Sequence, residues 1–396
     1  MRFWSRRWFK ITAAVLILLT LTGAGIFASG CTAMGERPSG MWRRRVEVSP
    51  QWNGEAFQNT LPNNMPGFRA FWVWLTESSD HANPEEAPPI VRRNASDFND
   101  LPADGLRITW LGHSTLLVEI DGKRVLIDPV WGERASPFTW VGPQRFHAPP
   151  LALADLPPLD AVVISHDHYD HLDYPTILEL ARRNVPFVVP TGVGAHLAYW
   201  GVPKDRIVEL NWWQTWASSN EKSDVLQLIA TPARHFSGRG LLDRDQTLWA
   251  GWAIIGPKHR VFYSGDTAMF PEFKEIGEKL GPFDATMIES GAYNQAWADV
   301  HLGPEQAVLA HQMVRGKVML PVHWGTFNLS IHAWIEPMER VLVAAQKAGV
   351  TVVTPKPGES VSPHAPAPPQ RWWPQVPWKT AEENPVRSSH LTPDEG

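Results

Sequence analysis

The sequence is poor in cysteine: Cys31 stands alone among 396 residues. A disulfide within the chain is therefore excluded, and so is a cysteine-rich zinc site. Any metal must be held by histidine and carboxylate. A basic excess is also missing, since Asp and Glu number 41 against 36 Lys and Arg, for a formal net charge of −5. Nucleic-acid binding, which calls for a strong positive surplus, is not expected. Tyrosine is scarce, with 5 against 21 tryptophans. Tryptophan suits large cores, and it also favours membrane interfaces, where one end of the side chain is dry and the other wet. No internal repeat is visible.

What is present divides the chain into four parts. Residues 1–31 read as an export or anchor segment. "MRFWSRRWFK" is basic, and "ITAAVLILLTLTGAGIFASG" follows with twenty uncharged residues, a length that can span a bilayer. "SRRWFK" resembles a twin-arginine export signal. "ASGC" resembles a bacterial lipoprotein cleavage site, with Ala28 where leucine is usual. Lipid at Cys31, an uncleaved anchor and simple cleavage all stay open. Arg43, Arg44 and Arg45 weaken the charge asymmetry. The bulk of the chain is still expected on the periplasmic side, associated with the membrane.

Residues 32–104 form an arm rich in Pro and Asn, without sustained periodicity, expected to pack partly on the main domain. Its aromatic cluster "FRAFWVWL" (68–75) suits either a packed helix or a membrane-contacting element. Residues 105–355 alternate short β-rich runs with helical spacing, which predicts an α/β domain. "DG" at 121–122 predicts a hairpin turn, "YPTILELARR" (174–183) a helix, and "GPEQAVLAHQMV" (303–314) a helix with Pro in its first turn. Residues 356–396 are Pro-rich and polar, and are expected to be mostly disordered.

The chemistry gathers in "VVISHDHYDHLD" (162–173). Burying unpaired charge is costly, so packing does not account for such density. His166, His168, Asp170 and His171 follow an apolar strand. A tight loop there can aim His166 and His168 at one cation and Asp170 and His171 at a second. Neutral imidazole and carboxylate are natural ligands for Zn2+ or a similar divalent ion. Further donors stand in matching contexts: His235 after "LQLIATPAR", Asp266 closing "RVFYSGD", His323 closing "VMLPVHW". Each lies at or just past the end of a strand, and all could converge on one sheet edge. Singly, His235 or His323 could be a core histidine, and Asp266 a turn residue.

"HDHYDH", a later His, a "GD" and a final His resemble the metallo-β-lactamase superfamily. The match is closer to its N-acyl-phosphatidylethanolamine-hydrolysing phospholipase D branch. It rests on "TWLGHSTLLVE", "DPVWGERASPFTWVGPQRF", "LPPLDAVVISHDHYDHLDY", "IVELNWW", "TLWAGWAIIG", "SGDT", "FKEIGEKLGPFD", "GAYNQAW", "HLGPEQAV" and "PVHWGTFNLS", in order from Thr109 to Ser330. The resemblance implies a four-layer αββα sandwich. It implies one metal held by His166, His168 and His235, a second by Asp170, His171 and His323, and Asp266 bridging both. His301 in "DVHLGPEQ" maps onto an active-site histidine that is not a ligand. Asp128 and His113 would support the site without ligating. Asp266, His301 and Asp170 form the expected catalytic set. Glu289 in "IESGAY" departs from the branch, where a smaller or apolar residue is usual, and is expected to alter a substrate wall.

Two divalent ions, Zn2+ foremost, would lower the pKa of a bridging water and stabilise charge on the attacking and leaving oxygens. The resemblance implies a phospholipid substrate at a membrane surface, split into phosphatidic acid and an N-acylethanolamine. A metal-dependent lactonase or phosphodiesterase on a soluble substrate is an alternative, as is a non-catalytic envelope lipoprotein that binds lipid. The oligomeric state, including a homodimer, stays open.

Overall fold

The computed structural model describes residues 2–64, 67–218, 225–240 and 242–391. Its strands in chain order are β1 (Leu106–Trp110), β2 (Leu116–Ile120), β3 (Lys123–Ile127), β4 (Ala161–Val163), β5 (Phe187–Pro190), β6 (Ile207–Leu210) and β7 (Thr215–Ala217). Then come β8 (Gln227–Thr231), β9 (Gly251–Ile255), β10 (Arg260–Tyr263), β11 (Phe283–Glu289), β12 (Gly316–Val322), β13 (Thr351–Val352) and β14 (Ser360–Val361). The helices are α1 (Arg2–Met34), α2 (Gly40–Glu47), α3 (Gly67–Thr76), α4 (Tyr174–Leu180), α5 (Gly194–Tyr199), α6 (Glu272–Leu280), α7 (Pro304–Met313) and α8 (Glu336–Ala348).

Two seven-stranded mixed sheets result. One runs β14-β1-β2-β3-β4-β5-β6 and the other β13-β12-β11-β10-β9-β8-β7. In the first sheet, alternate residues face opposite ways. Val118, Val125, Ile127 and Val163 join a core shared with Ala230, Trp252, Val261, Met287 and Leu320 of the second sheet. Leu117, Leu126, Val162 and Phe187 instead pack with Ile177 and Leu180 of α4 and Leu197 of α5. Phe273 and Ile276 of α6, Val308 of α7 and Val341 of α8 add to the central core. The architecture is the expected α/β metallo-β-lactamase sandwich. At the β2–β3 hairpin, Asp121 and Gly122 both have positive φ, 46° and 84°, as a type I′ turn requires.

Strand direction places the site. β8 and β10 are each antiparallel to β9, while β10, β11 and β12 are parallel to one another. β8, β10, β11 and β12 therefore end at the same edge. In the first sheet, β1 and β3 are each antiparallel to β2, and β3 is parallel to β4, so β1, β3 and β4 likewise end together.

Three regions differ from the sequence reading or extend it. The tail is ordered through residue 391. Val361 of β14 pairs with Ile108, which carries the sheet beyond residue 355. Trp372 stacks on Trp324 at 5.2 Å, Trp373 is buried, and its Nε1–H donates to Glu339 Oε1 at 2.7 Å. Each buried aromatic contributes about 1.5–3 kcal/mol, enough to hold a Pro-rich chain that has little conformational entropy to lose. The arm packs through Trp42, Val46, Phe57 and Phe98. Finally, Arg2–Met34 is one continuous helix, and among the described residues no helix is long and apolar enough to cross a membrane.

Candidate metal centre

The first half of the centre is a loop that leaves β4. Ser165 N–H donates to Asp128 Oδ1 at 2.7 Å. The chain then turns, with His171 N–H and Leu172 N–H both donating to His168 O at 3.1 and 2.8 Å. Asp173 caps α4, accepting from Thr176 N–H, and Pro175 fits the helix's first turn. Asp167 takes hydrogen bonds from Gly238 N–H and Thr247 Oγ1–H, both at 2.8 Å. Of the three aspartates in this stretch, Asp167 and Asp173 thus fasten the loop, and Asp170 faces the histidines.

The second half comes from the other sheet. His235 follows β8, Asp266 follows β10 and His323 follows β12. His166, His168, His235 and Asp266 bring donor atoms within 4.8 Å of one another, and so do His113, Asp170, His171 and His323. Asp266 reaches both groups. Its Oδ2 lies 3.0 Å from His323 Nε2, 3.2 Å from His171 Nε2, 3.8 Å from His166 Nε2 and 3.9 Å from His235 Nε2. Asp170 Oδ2 lies 3.2 Å from His323 Nε2 and 3.4 Å from His171 Nε2. All seven expected ligands therefore converge, in the two groups expected.

These donors suit a divalent cation. His166 Nε2 is 2.8 Å from His168 Nδ1, which is 3.2 Å from His235 Nε2. Three imidazole nitrogens face one another, with lone pairs that a cation would satisfy. His171 Nε2 and Asp266 Oδ1 are buried without a hydrogen-bond partner. Such orphans are uncommon in folded chains and mark a missing partner. His113, expected only to support the site, has Nε2 2.8 Å from Asp170 Oδ2 and is counted in the second donor group.

Supporting contacts orient the ligands. Asp128 Oδ2 accepts from His171 Nδ1–H at 2.7 Å, from Ser165 Oγ–H at 2.6 Å and from Tyr263 OH at 2.6 Å. This leaves Nε2 of His171 for the centre, the arrangement by which carboxylates fix metal-binding histidines. His235 Nδ1–H donates to Val300 O at 2.7 Å, which likewise frees its Nε2. His113, Asp128 and His323 hold left-handed backbone, φ 53°, 39° and 66°. Each costs roughly 1–3 kcal/mol, and such strain gathers at functional sites. Gly291 is required by close approach, because a Cβ there would meet His323 O at 2.1 Å.

Charge follows the same division. Burial holds His166, His168 and His235 below the ordinary imidazole range. Burial also opposes protonation of His171 and His323, but the carboxylates of Asp266 and Asp170 outweigh it, and His323 is raised to about 10. Asp170 and Asp266 stay well below the carboxylate range, since the neighbouring imidazoles overcome their burial. Without a cation, protons on His171 and His323 balance the two carboxylates. A divalent ion would displace them.

His301 lies in the loop after β11, its Nδ1 4.0 Å from Asp266 Oδ2, and its side chain keeps 15% exposure. Glu289, at the end of β11, is fully buried and 2.9 Å from His301 Nδ1. It lines no substrate wall, contrary to expectation, because the strand end turns it inward. Burial raises its pKa, against the pull of His301. Sequence reading missed the arm's share. Asn59 Oδ1 accepts from His235 N–H at 3.0 Å, while Asn59 and Asn63 donate to His235 O at 2.7 and 3.0 Å. The only signal was an asparagine-rich stretch without periodicity.

Comparison with known proteins agrees with this geometry. The Beta-lactamase superfamily domain matches residues 123–324. The chain is 49% identical over 337 residues to an uncharacterized protein of Mycobacterium tuberculosis, covering 83% of this chain and 88% of that one. It is 36% identical to the N-acyl-phosphatidylethanolamine-hydrolyzing phospholipase D 1 of Caenorhabditis elegans, covering 74% of this chain and 87% of the relative. The fold matches Igni18, a metallo hydrolase from Ignicoccus hospitalis, with a TM-score of 0.50 and 24% identity, over 65% of this chain and 97% of the other. Two sheets whose strand ends gather histidines and aspartates able to hold a cation, a matching superfamily domain and relatives similar over most of their length place the chain in the metallo-β-lactamase superfamily as a metal-dependent hydrolase, with N-acyl-phosphatidylethanolamine-hydrolysing phospholipases D among its homologues.

Proposed function

We propose that this chain is a two-metal phosphodiesterase of the phospholipase D type, acting on N-acyl-phosphatidylethanolamine-like lipids at a membrane surface. One observation carries the reading: Asp266 Oδ2 sits between two donor groups, within 3.0–3.9 Å of an imidazole nitrogen on four different histidines. His166, His168 and His235 would hold one ion, Asp170, His171 and His323 the other, and Asp266 both. Two divalent ions, zinc in this reading, would lower the pKa of a shared water and neutralise charge gathering on phosphate oxygens.

The chain's own groups do the rest. Asp266 and Asp170 fix where positive charge is held. His301 keeps some exposure beside Asp266 and can reach a substrate. It gives a proton to the N-acylethanolamine oxygen as the bond from phosphorus to that oxygen breaks. The phosphorus keeps the oxygen of water, and phosphatidic acid remains.

The lipid assignment draws on the worm relative and on the surface near the site. α3 packs Ala70 and Val73 against Ala296, Trp297 and Val300, in a cluster that includes Phe236. Phe236 contacts the rings of His168 and His235 at 4.5 and 4.7 Å. The other face of α3 exposes Phe68 by 81%, Trp72 by 55% and Leu75 by 59%, an i, i+4, i+7 apolar stripe next to the centre. In this reading the chain is exported and held at the membrane by lipid on Cys31.

The test is metal analysis of the purified chain, with hydrolysis assayed on N-acyl-phosphatidylethanolamine vesicles, soluble bis(p-nitrophenyl) phosphate and a lactone. About two ions per chain, and vesicle turnover that chelation abolishes and zinc restores, are expected. Turnover of the lactone alone would overturn the substrate assignment. Full metal with no turnover of any ester would overturn catalysis.

A further inference from the structure

Glu289 is a carboxylate placed where only an internal role is open to it. It ends β11, it is fully buried, and both its oxygens are engaged. Oε1 accepts from Thr267 N–H at 2.6 Å and from Leu302 N–H at 3.1 Å. Oε2 faces His301 Nδ1 at 2.9 Å. Thr267 directly follows Asp266, and Leu302 directly follows His301. One side chain thus ties the backbone beside the carboxylate that spans both donor groups to the backbone beside the exposed histidine. On the other flank of His301, Val300 O accepts from His235 Nδ1–H at 2.7 Å. His301 is therefore held on both sides by groups of the centre. Its Nε2 has no hydrogen-bond partner among the described residues.

Glu289 also belongs to a third donor group, with Asp266, His301 and His323. Its engagement argues against metal ligation. Two backbone N–H groups occupy Oε1 and His301 Nδ1 faces Oε2, and a carboxylate so engaged has little left to offer a cation.

We infer that Glu289 is the positioning residue for His301: its carboxylate accepts Nδ1–H, fixes the ring relative to Asp266, and leaves Nε2 as the atom that meets the departing oxygen. The inference rests on the phosphodiesterase reading for what Nε2 does, but not for how the ring is held. During the step, the electron pair of the breaking P–O bond goes to the departing oxygen. Nε2, bare in the Nδ1–H tautomer, takes the proton released by the attacking water and passes it to that oxygen, while Nδ1–H stays hydrogen-bonded to Glu289. A third group orienting a catalytic imidazole in this way fixes its tautomer, and misplacing it costs rate rather than substrate binding.

The experiment has two arms on the zinc-loaded full chain. The first needs no substrate. Long-range 1H–15N spectra of histidine-labelled protein, with His301 identified by its loss in His301→Ala, should show the Nδ1–H tautomer in the parent chain. Glu289→Ala should shift that ring toward Nε2–H while metal content stays full. An Nε2–H ring in the parent, or a ring unchanged by the substitution, overturns the inference. The second arm is a double-mutant cycle on whichever ester the parent hydrolyses. His301→Ala should lower kcat by about 10²–10⁴-fold. Glu289→Ala should lower kcat with KM little changed, and the double variant should be no slower than His301→Ala within about threefold. Additive losses, or loss of metal in Glu289→Ala, would overturn it and mark Glu289 as structural or as a ligand. If Glu289→Ala does not fold, Glu289→Gln serves in both arms. It keeps an acceptor for the backbone N–H groups, and the same two readouts decide. If no phosphodiester is turned over while the spectra behave as expected, the substrate reading fails and the positioning role stands.

Discussion

The first sheet delivers His166, His168, Asp170 and His171 from one six-residue loop, whereas the second delivers His235, Asp266 and His323 from the ends of three separate strands. The loop can be assembled locally, through its turn bonds to His168 O and the cap at Asp173. The other three donors meet only because β8, β10 and β12 run the same way, with β9 and β11 as spacers. Each half alone is an incomplete set. Asp266, from the second sheet, and Asp170, from the loop, each lie within 3.4 Å of both His171 of the loop and His323 of the second sheet. A local cluster thus supplies four of the donors, and the sheet pairing brings the other three to them.

The largest effect should come from breaking the link between the halves. Asp266→Asn should lower kcat on the order of 10⁴-fold. If every tested ester were still hydrolysed at the parent rate with full metal, a shared site would be untenable. Next come substitutions confined to one half. His168→Ala and His323→Ala should each reduce bound metal from about two ions to about one, measured by elemental analysis after dialysis. Equal loss of both ions in both variants would mean a single site that neither half completes alone.

A smaller effect is expected one contact further out. Asp128→Asn removes the acceptor of His171 Nδ1–H and should weaken metal affinity or activity by about 10–100-fold, read by competition with a chelating dye. The same change tests asymmetry, because the first donor group should keep its ion. The smallest is expected in the arm. Asn59→Ala leaves the His235 N–H short of an acceptor, while Trp249 Nε1–H keeps Ala233 O, and should cost about 1–3 kcal/mol in urea unfolding. No change in the unfolding midpoint would mean that the arm does not brace the second half.

Legibility in the sequence follows the same local and non-local divide. The hairpin at Asp121–Gly122, the helix after Pro175 and the donors of "HDHYDH" were readable because neighbours along the chain decide them. The sequence reading passed over β11. It is buried along its whole length between two parallel partners, yet its polar Asp284, Thr286 and Glu289 interrupt the apolar run that usually marks such a strand. With β11 overlooked, Glu289 looked like a wall residue rather than the partner of His301. The tail was misjudged for a related reason. Its composition is that of a disordered segment, but Trp372 and Trp373 find a tryptophan cluster that Trp110 and Trp324 supply from far away.

By itself, the sequence determined the donor chemistry. One cysteine and fifteen histidines leave only imidazole and carboxylate to hold a cation, and four such groups in six positions need no distant partner to be suggestive. Tertiary structure decided which aspartate does what. Asp167, Asp170 and Asp173 are equivalent by type and spacing, yet one is tied to loop 237–247, one faces the histidines and one caps a helix. Coordination and hydrogen bonding act over about 3 Å, and distances of that order are set by which strands lie side by side, not by how far apart residues stand in the chain.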